Sequence, residues 1–123
     1  MKQRILVAED HILLLEGIRD ILESEGYTVL SVTDGIQALQ TMNQTLPDLV
    51  IADIMMPVLD GYALLKEIRA RPEWSHTPII FLTSRAENED IQRGHDLGVE
   101  GYITKPFDPD DLLNTVRTVL EST

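Results

Sequence analysis

At 123 residues, 43% hydrophobic and 25% charged, with no fixed-period repeat or low-complexity tract, the chain has the size and composition of one folded domain over residues 1–123. A net charge of −11, with only ten Lys and Arg, argues against a direct nucleic-acid surface, and zero cysteines exclude disulfides and thiolate metal sites. No apolar run approaches the roughly 20 residues of a membrane helix; residues 1–7 lack the apolar region of a signal peptide, so no membrane insertion and a cytoplasmic location are expected.

Five short runs of β-branched and aliphatic residues follow one another along the chain: residues 5–7, 29–32, 49–51, 79–82 and 102–103. Each reads as a strand. Between them, apolar residues recur at helical spacing. Leu14, Ile18, Ile21 and Leu22 mark a first helix, Leu39, Met42 and Leu46 a shorter one, and Leu112, Val116, Val119 and Leu120 a last one. That last helix opens on Asp108 as N-cap and Pro109 at its first position. Near-continuous apolar strands alternating with one-faced helices, five times over, predict a doubly wound α/β domain, a parallel sheet with helices on both faces. In such a sheet, ligands bind beyond the carboxyl ends of the strands, close to where the strand order reverses.

Polar groups collect at those strand ends: Glu9 and Asp10 after the first strand, Asp53 after the third, Thr83 and Ser84 after the fourth, Thr104, Lys105 and Pro106 after the fifth. Each alone has a local explanation, as a cap, a loop carboxylate or a hydroxyl bonded to nearby backbone. Three carboxylates on one rim repel by about 4 kcal/mol per close pair at an intermediate dielectric, which calls for a cation. Oxygen ligands without cysteine or a histidine pair favour Mg²⁺ with a phosphate completing its shell, and Lys105 supplies a compact charge for a phosphoryl oxygen. The first strand enters Glu9, Asp10, His11 and Ile12 with no glycine before Gly17, so no nucleotide cradle forms. His11 reads as a capping or solvated residue, His76 and His95 as surface, and Met55-Met56 as packing and turn.

These residues resemble the receiver domains of bacterial response regulators. The resemblance covers the chain from Arg4 to about Leu120 and rests on Glu9-Asp10, on Asp53-Ile54-Met55-Met56-Pro57 with Asp60-Gly61, on Thr83 thirty residues past Asp53, and on Lys105-Pro106-Phe107. It implies a flavodoxin-like (βα)5 sheet of strand order 2-1-3-4-5 and a two-component phosphorelay function. Asp53 would be the phosphoacceptor, with Mg²⁺ held by Glu9, Asp10, Asp53 and the main-chain carbonyl of Met55. Lys105 would pair with the phosphoryl group, its bond to Pro106 being cis and helping to aim the ammonium. Thr83 and Tyr102 would be the switch pair, acting on the surface made by the fourth helix, fifth strand and fifth helix. Its chemistry would be limited to self-catalysed phosphoryl transfer and autodephosphorylation. The implied partners are a sensor histidine kinase or phosphotransfer protein upstream, and a downstream protein or attached domain.

Glu9 stands where the family mostly has Asp, so Glu9→Asp is expected to tighten Mg²⁺, with Trp74 or a tyrosine as fluorescent reporter. Met55 and Arg85 lie where phosphate lifetime is adjusted; Met55 is expected to shield the path of the in-line water and Arg85 to pair with a nearby acid. Pro57 and Gly61 fit the turn after the third strand, Gly61 as a residue able to take positive φ. Glu100-Gly101 and Thr115 depart from the pattern of receivers joined to winged-helix domains, so that type of dimer is not expected. A haloacid-dehalogenase-type phosphatase would need a second Asp at position 55, where Met stands, and a pseudo-receiver would not need Asp53, Thr83 and Lys105 together.

Overall fold

A computed structural model describes residues 2–84 and 98–122. Strands β1 (Arg4–Ala8), β2 (Thr28–Val32), β3 (Leu49–Asp53), β4 (Ile79–Thr83) and β5 (Gly101–Thr104) form one parallel sheet in the order β2-β1-β3-β4-β5. Around it stand α1 (Ile12–Ser24), α2 (Gly35–Gln44), α3 (Gly61–Ala70) and α4 (Pro109–Glu121), the last helix of the chain. The expected fold class and strand order are both observed. The fourth of the five expected helices and Arg85 fall within residues 85–97, outside the described residues.

Alternation along each strand divides the core in two. Leu6, Ala8, Val50, Ala52, Ile79 and Phe81 face one side and pack with Ala38 and Met42 of α2 and Leu64, Leu65 and Ile68 of α3. Ile5, Val7, Leu49, Ile51, Ile80 and Leu82 face the other and pack with Ile18 and Leu22 of α1 and Leu112, Val116 and Val119 of α4. All five residues of β3 and of β4 are buried, as strands covered on both faces should be. Each such aliphatic side chain contributes about 1.5–3 kcal/mol by leaving water.

Helix starts are fixed by side chains that accept a backbone amide: His11 Nδ1 from Leu14 at 3.2 Å, Asp34 from Gln37 at 2.8 Å, Asp60 from Ala63 at 2.8 Å and Asp108 from Asp111 at 2.9 Å. His11 is thus a cap. Two expectations on helices shift. In α1 the buried positions are Leu15, Ile18 and Leu22, while Leu14 and Ile21 are half-buried; the run Ile12 to Leu15 is apolar throughout and does not reveal which residue faces inward. Leu46 lies beyond α2 and is half exposed, because Thr45 caps the helix and Leu46 precedes Pro47, whose ring disfavours helical backbone there. Trp74 is buried in the segment entering β4, at the end of the sheet opposite the polar strand ends, and so is badly placed to report on them.

Candidate functional site

The strand order reverses between β1 and β3, and the carboxyl ends of those two strands open the crevice where such folds hold ligands. Asp53 is the last residue of β3, and Glu9 and Asp10 follow β1 directly. One carboxylate oxygen from each lies within 4.8 Å of the others, a cluster able to hold a metal ion. Asp10 is exposed, whereas Asp53 and Glu9 are buried.

Each buried carboxylate is oriented by the chain. The N–H of Met55 donates to Asp53 Oδ1 at 3.0 Å, and the N–H of His11 donates to Glu9 Oε2 at 3.0 Å. The remaining oxygens share one cation: Lys105 Nζ donates to Asp53 Oδ2 at 2.7 Å and to Glu9 Oε1 at 2.9 Å. Burial raises the Glu9 pKa above its ordinary 4.5; the hydrogen bonds from Lys105 and from the His11 N–H pull it down, but not enough to cancel burial and the neighbouring Asp53 charge. Burial pushes Lys105 the other way, and its bonds to Asp53 and Glu9 outweigh that, so its pKa lies above 10.5.

The lysine follows β5 directly and joins Pro106 through a cis bond, with its own N–H donating to the Thr83 carbonyl at 2.6 Å. Thr83, buried at the end of β4, stands in register with Thr104. Tyr102 is half-buried, its ring meeting Phe81 edge-on at 6.3 Å, and Phe81 in turn meets Tyr62 at 5.4 Å. The Met55 side chain is exposed. Arg85 lies outside the described residues.

The turn after Asp53 differs from expectation. Positive φ falls on Val58, at 70°, and not on Gly61. The Leu59 N–H donates to the Pro57 carbonyl at 2.7 Å across Val58, a three-residue turn that is strained for a β-branched residue. Gly61 is required for a different reason. A Cβ there would sit 2.8 Å from both the Asp53 carbonyl oxygen and Ile54 Cα, so the start of α3 can press against the backbone that carries Asp53.

At the opposite end of the sheet stands a network that residue patterns did not reveal. Arg69, near the end of α3, donates to the carbonyls of Thr77 at 2.6 Å and Gly98 at 3.0 Å and to both carboxylate oxygens of Glu100 at 2.7 and 3.0 Å. Glu100 Oε2 also accepts the Ile79 N–H at 2.7 Å. The entrances of β4 and β5 are thereby tied to α3. The only sequence signal was Glu100 itself, an acid immediately before the fifth strand.

A doubly wound parallel sheet with three carboxylates and a lysine at its switch point defines a class of small α/β domains built to handle a charged ligand at the strand ends. The sequence matches the family described as "Response regulator receiver domain" over residues 5–117, and the chain belongs to that family. It is 36% identical over 120 residues to the "Probable transcriptional regulator ycf29" of Pyropia yezoensis, an alignment covering 98% of this chain and 54% of that protein. The chain spans about half the length of the curated relatives it matches. A putative response regulator from Chloroflexus aurantiacus superimposes with a TM-score of 0.94 at 31% identity, over 98% of this chain and 99% of that one. The receiver domain of the sensor histidine kinase PA1611 from Pseudomonas aeruginosa, solved with a magnesium ion in its active-site cleft, superimposes with a TM-score of 0.89 at 35% identity, over 98% and 99%. Among the described residues no helix is long and apolar enough to cross a membrane.

Proposed function

We propose that this receiver domain accepts a phosphoryl group on Asp53. The observation that carries the reading is the Asp53 carboxylate itself: held at the crevice by the Met55 N–H and Lys105, and within 4.8 Å of two further carboxylates. A carboxylate oxygen of Asp53 attacks phosphorus, the bond from phosphorus to the donor's histidine nitrogen breaks, and that nitrogen leaves with the electron pair. The protein contributes position and fixed charge, Lys105 standing where negative charge gathers on the transferring group. The acids Glu9, Asp10 and Asp53 suit a hard, oxygen-seeking ion, and Mg²⁺, completed by the Met55 carbonyl, would supply neutralisation of the phosphoryl oxygens. The product is an acyl phosphate, which water hydrolyses. The domain is therefore a self-modifying switch with a limited lifetime and no separate substrate to turn over, Met55 and Arg85 adjusting that lifetime.

Thr83 and Tyr102 carry the change outward: a hydroxyl bonding the new phosphoryl oxygens, and an aromatic on the neighbouring strand whose packing on Phe81 responds, alter the surface of the fourth helix, β5 and the last helix. The donor is a phosphohistidine on a sensor kinase or phosphotransfer protein in the cytoplasm. A groove of about 950 Å³ runs from the acids along α1 past Leu13, Gly17, Ile18 and Phe107, giving such a donor an apolar footing beside Asp53. Output passes to a protein partner or to an attached domain. Because this stretch carries a charge of −11, any DNA contact by a longer protein of the ycf29 kind would be made by its other half.

Incubation with acetyl phosphate and Mg²⁺, read by intact mass, tests the reading. One phosphoryl group per chain, not formed when the metal is chelated beforehand and absent in Asp53→Asn, is the expected result. Steady hydrolysis of a small phosphate ester would instead indicate a phosphatase, and no modification a silent interaction domain.

A further inference from the structure

The chain contains no cysteine, so its sulfur chemistry falls to methionine. Among the described methionines, Met42 and Met56 lie in the core, 3% and 7% exposed, while Met55 is 75% exposed. Its place is fixed all the same. Ile54 and Met56 on either side are buried, and the Met55 N–H donates to Asp53 Oδ1 at 3.0 Å, so an exposed thioether is carried on backbone pinned to the carboxylate at the crevice. A thioether is apolar and accepts hydrogen bonds only weakly, whereas a sulfoxide is polar and its oxygen accepts them well. Oxidation at Met55 exchanges a group that sheds water for one that binds it, two residues from Asp53. The sulfurs of Met42 and Met56, enclosed in the core, do not compete for the oxidant.

We propose that Met55 is a reversible modification site for peroxides, and that its sulfoxide shortens the life of a phosphoryl group on Asp53. The sulfur lone pair attacks one oxygen of hydrogen peroxide, the S–O bond forms as the O–O bond breaks, and the second oxygen leaves as water with the proton of the first. Sulfur is oxidised by two electrons and the peroxide is reduced by two. A sulfoxide reductase drawing on a pair of thiols reverses the change, the oxygen leaving as water and the thiols becoming a disulfide. While it lasts, the sulfoxide oxygen holds a water beside the acyl phosphate where the thioether kept water away, and hydrolysis quickens. Met42 and Met56 are spared because an oxidant reaches them only when the core opens. The effect on lifetime rests on Asp53 being the phosphoacceptor; the selective oxidation of Met55 does not.

The test treats the folded chain with graded hydrogen peroxide, removes the excess with catalase and locates the added oxygen by peptide mass. Met55 should be oxidised well before Met42 and Met56, and the three should react alike in denaturant. The oxidised chain is then phosphorylated with acetyl phosphate and Mg²⁺, freed of donor, and followed by intact mass. It should lose its phosphoryl group about fivefold faster than the untreated chain, the scale of one neutral hydrogen bond. Sulfoxide reductase with a dithiol should restore the slower rate. In Met55→Leu, which keeps Met1, Met42 and Met56, peroxide should leave the rate where it was; Met55→Gln, which carries a permanent acceptor, should be fast without peroxide. Oxidation of Met42 or Met56 as early as Met55 overturns the site. A lifetime that the sulfoxide leaves unchanged or lengthens, or a peroxide effect that persists in Met55→Leu, overturns the link to Asp53 while phosphorylation of Asp53 stands. A chain that takes up no phosphoryl group before any treatment overturns the proposed function and the lifetime effect together.

Discussion

Replacing Val58 with glycine should stabilise the domain. Val58 is 79% exposed and sits at φ 70°, so it gives little burial energy and occupies backbone space that a β-branched residue avoids. Left-handed backbone costs an L-residue about 1–2 kcal/mol, and more with a branched Cβ. Glycine removes that cost and adds about 0.5–1 kcal/mol through the greater freedom of the unfolded chain. The net gain is about 1 kcal/mol. For a 123-residue chain the unfolding entropy is about 0.26 kcal/mol per kelvin, so Tm should rise by about 4 °C. Thermal unfolding followed by circular dichroism measures it, with Val58→Ala as control: alanine relieves the branching but keeps a Cβ at positive φ, and should gain less. A Val58→Gly melting point equal to or below that of Val58→Ala would refute the strain argument. The same pair, assayed with acetyl phosphate, shows whether a relaxed turn holds the Met55 N–H on Asp53 as well as the strained one does.

Arg69→Ala leaves the carbonyls of Thr77 and Gly98 and the Glu100 carboxylate without their shared donor, which should cost about 2 kcal/mol and lower Tm by about 8 °C; acetyl phosphate should still modify Asp53, at the other end of the sheet, at the wild-type rate. Gly61→Ala drives a Cβ into the backbone at Asp53 and Ile54, costing about 1–3 kcal/mol in thermal unfolding. It should also slow phosphorylation about tenfold by displacing the nucleophile. Because the Glu9 pKa is raised, in the metal-free chain its contribution to stability is fully present below pH 4.5 and is lost as pH rises through the raised value. Mg²⁺ needs the ionised form, so its affinity should climb across that window and level off above it, as titrations at a series of pH values would show; a flat profile from 4.5 upward would contradict it. Lys105 acts outside this window, its contribution being lost only above pH 10.5.

The strands and the polar groups at their ends could be read from the chain because each depends on a few neighbouring residues: an aliphatic run, then a carboxylate or a Thr or Lys. Contacts between distant segments could not. The bonds from Lys105 to Glu9 and from Arg69 to Glu100 span 96 and 31 residues, and no local pattern distinguishes an acid that will be buried against a lysine from one that will face water. Gly61 was expected to take positive φ and does not; what excludes a side chain there is the close approach between α3 and the end of β3, which exists only once the fold is assembled. Strain at Val58 was hidden for the converse reason: valine is a poor choice for that backbone, and the surrounding turn imposes it. Leu46 followed the helical spacing, yet the proline after it ended the pattern.

Strand β3 lies in the middle of the sheet, bonded to β1 and β4 along its length and buried on both faces. Amides so placed exchange with deuterium only when the whole domain unfolds, whereas an exposed turn exchanges through small local openings. Asp53 is thus anchored in the part of the molecule that opens last, while the turn at residues 57–60 beside it, exposed except at the half-buried Leu59, belongs to a part that can open alone. The proposed acceptor keeps its place through every fluctuation short of denaturation, and the turn beside it can move at far smaller cost.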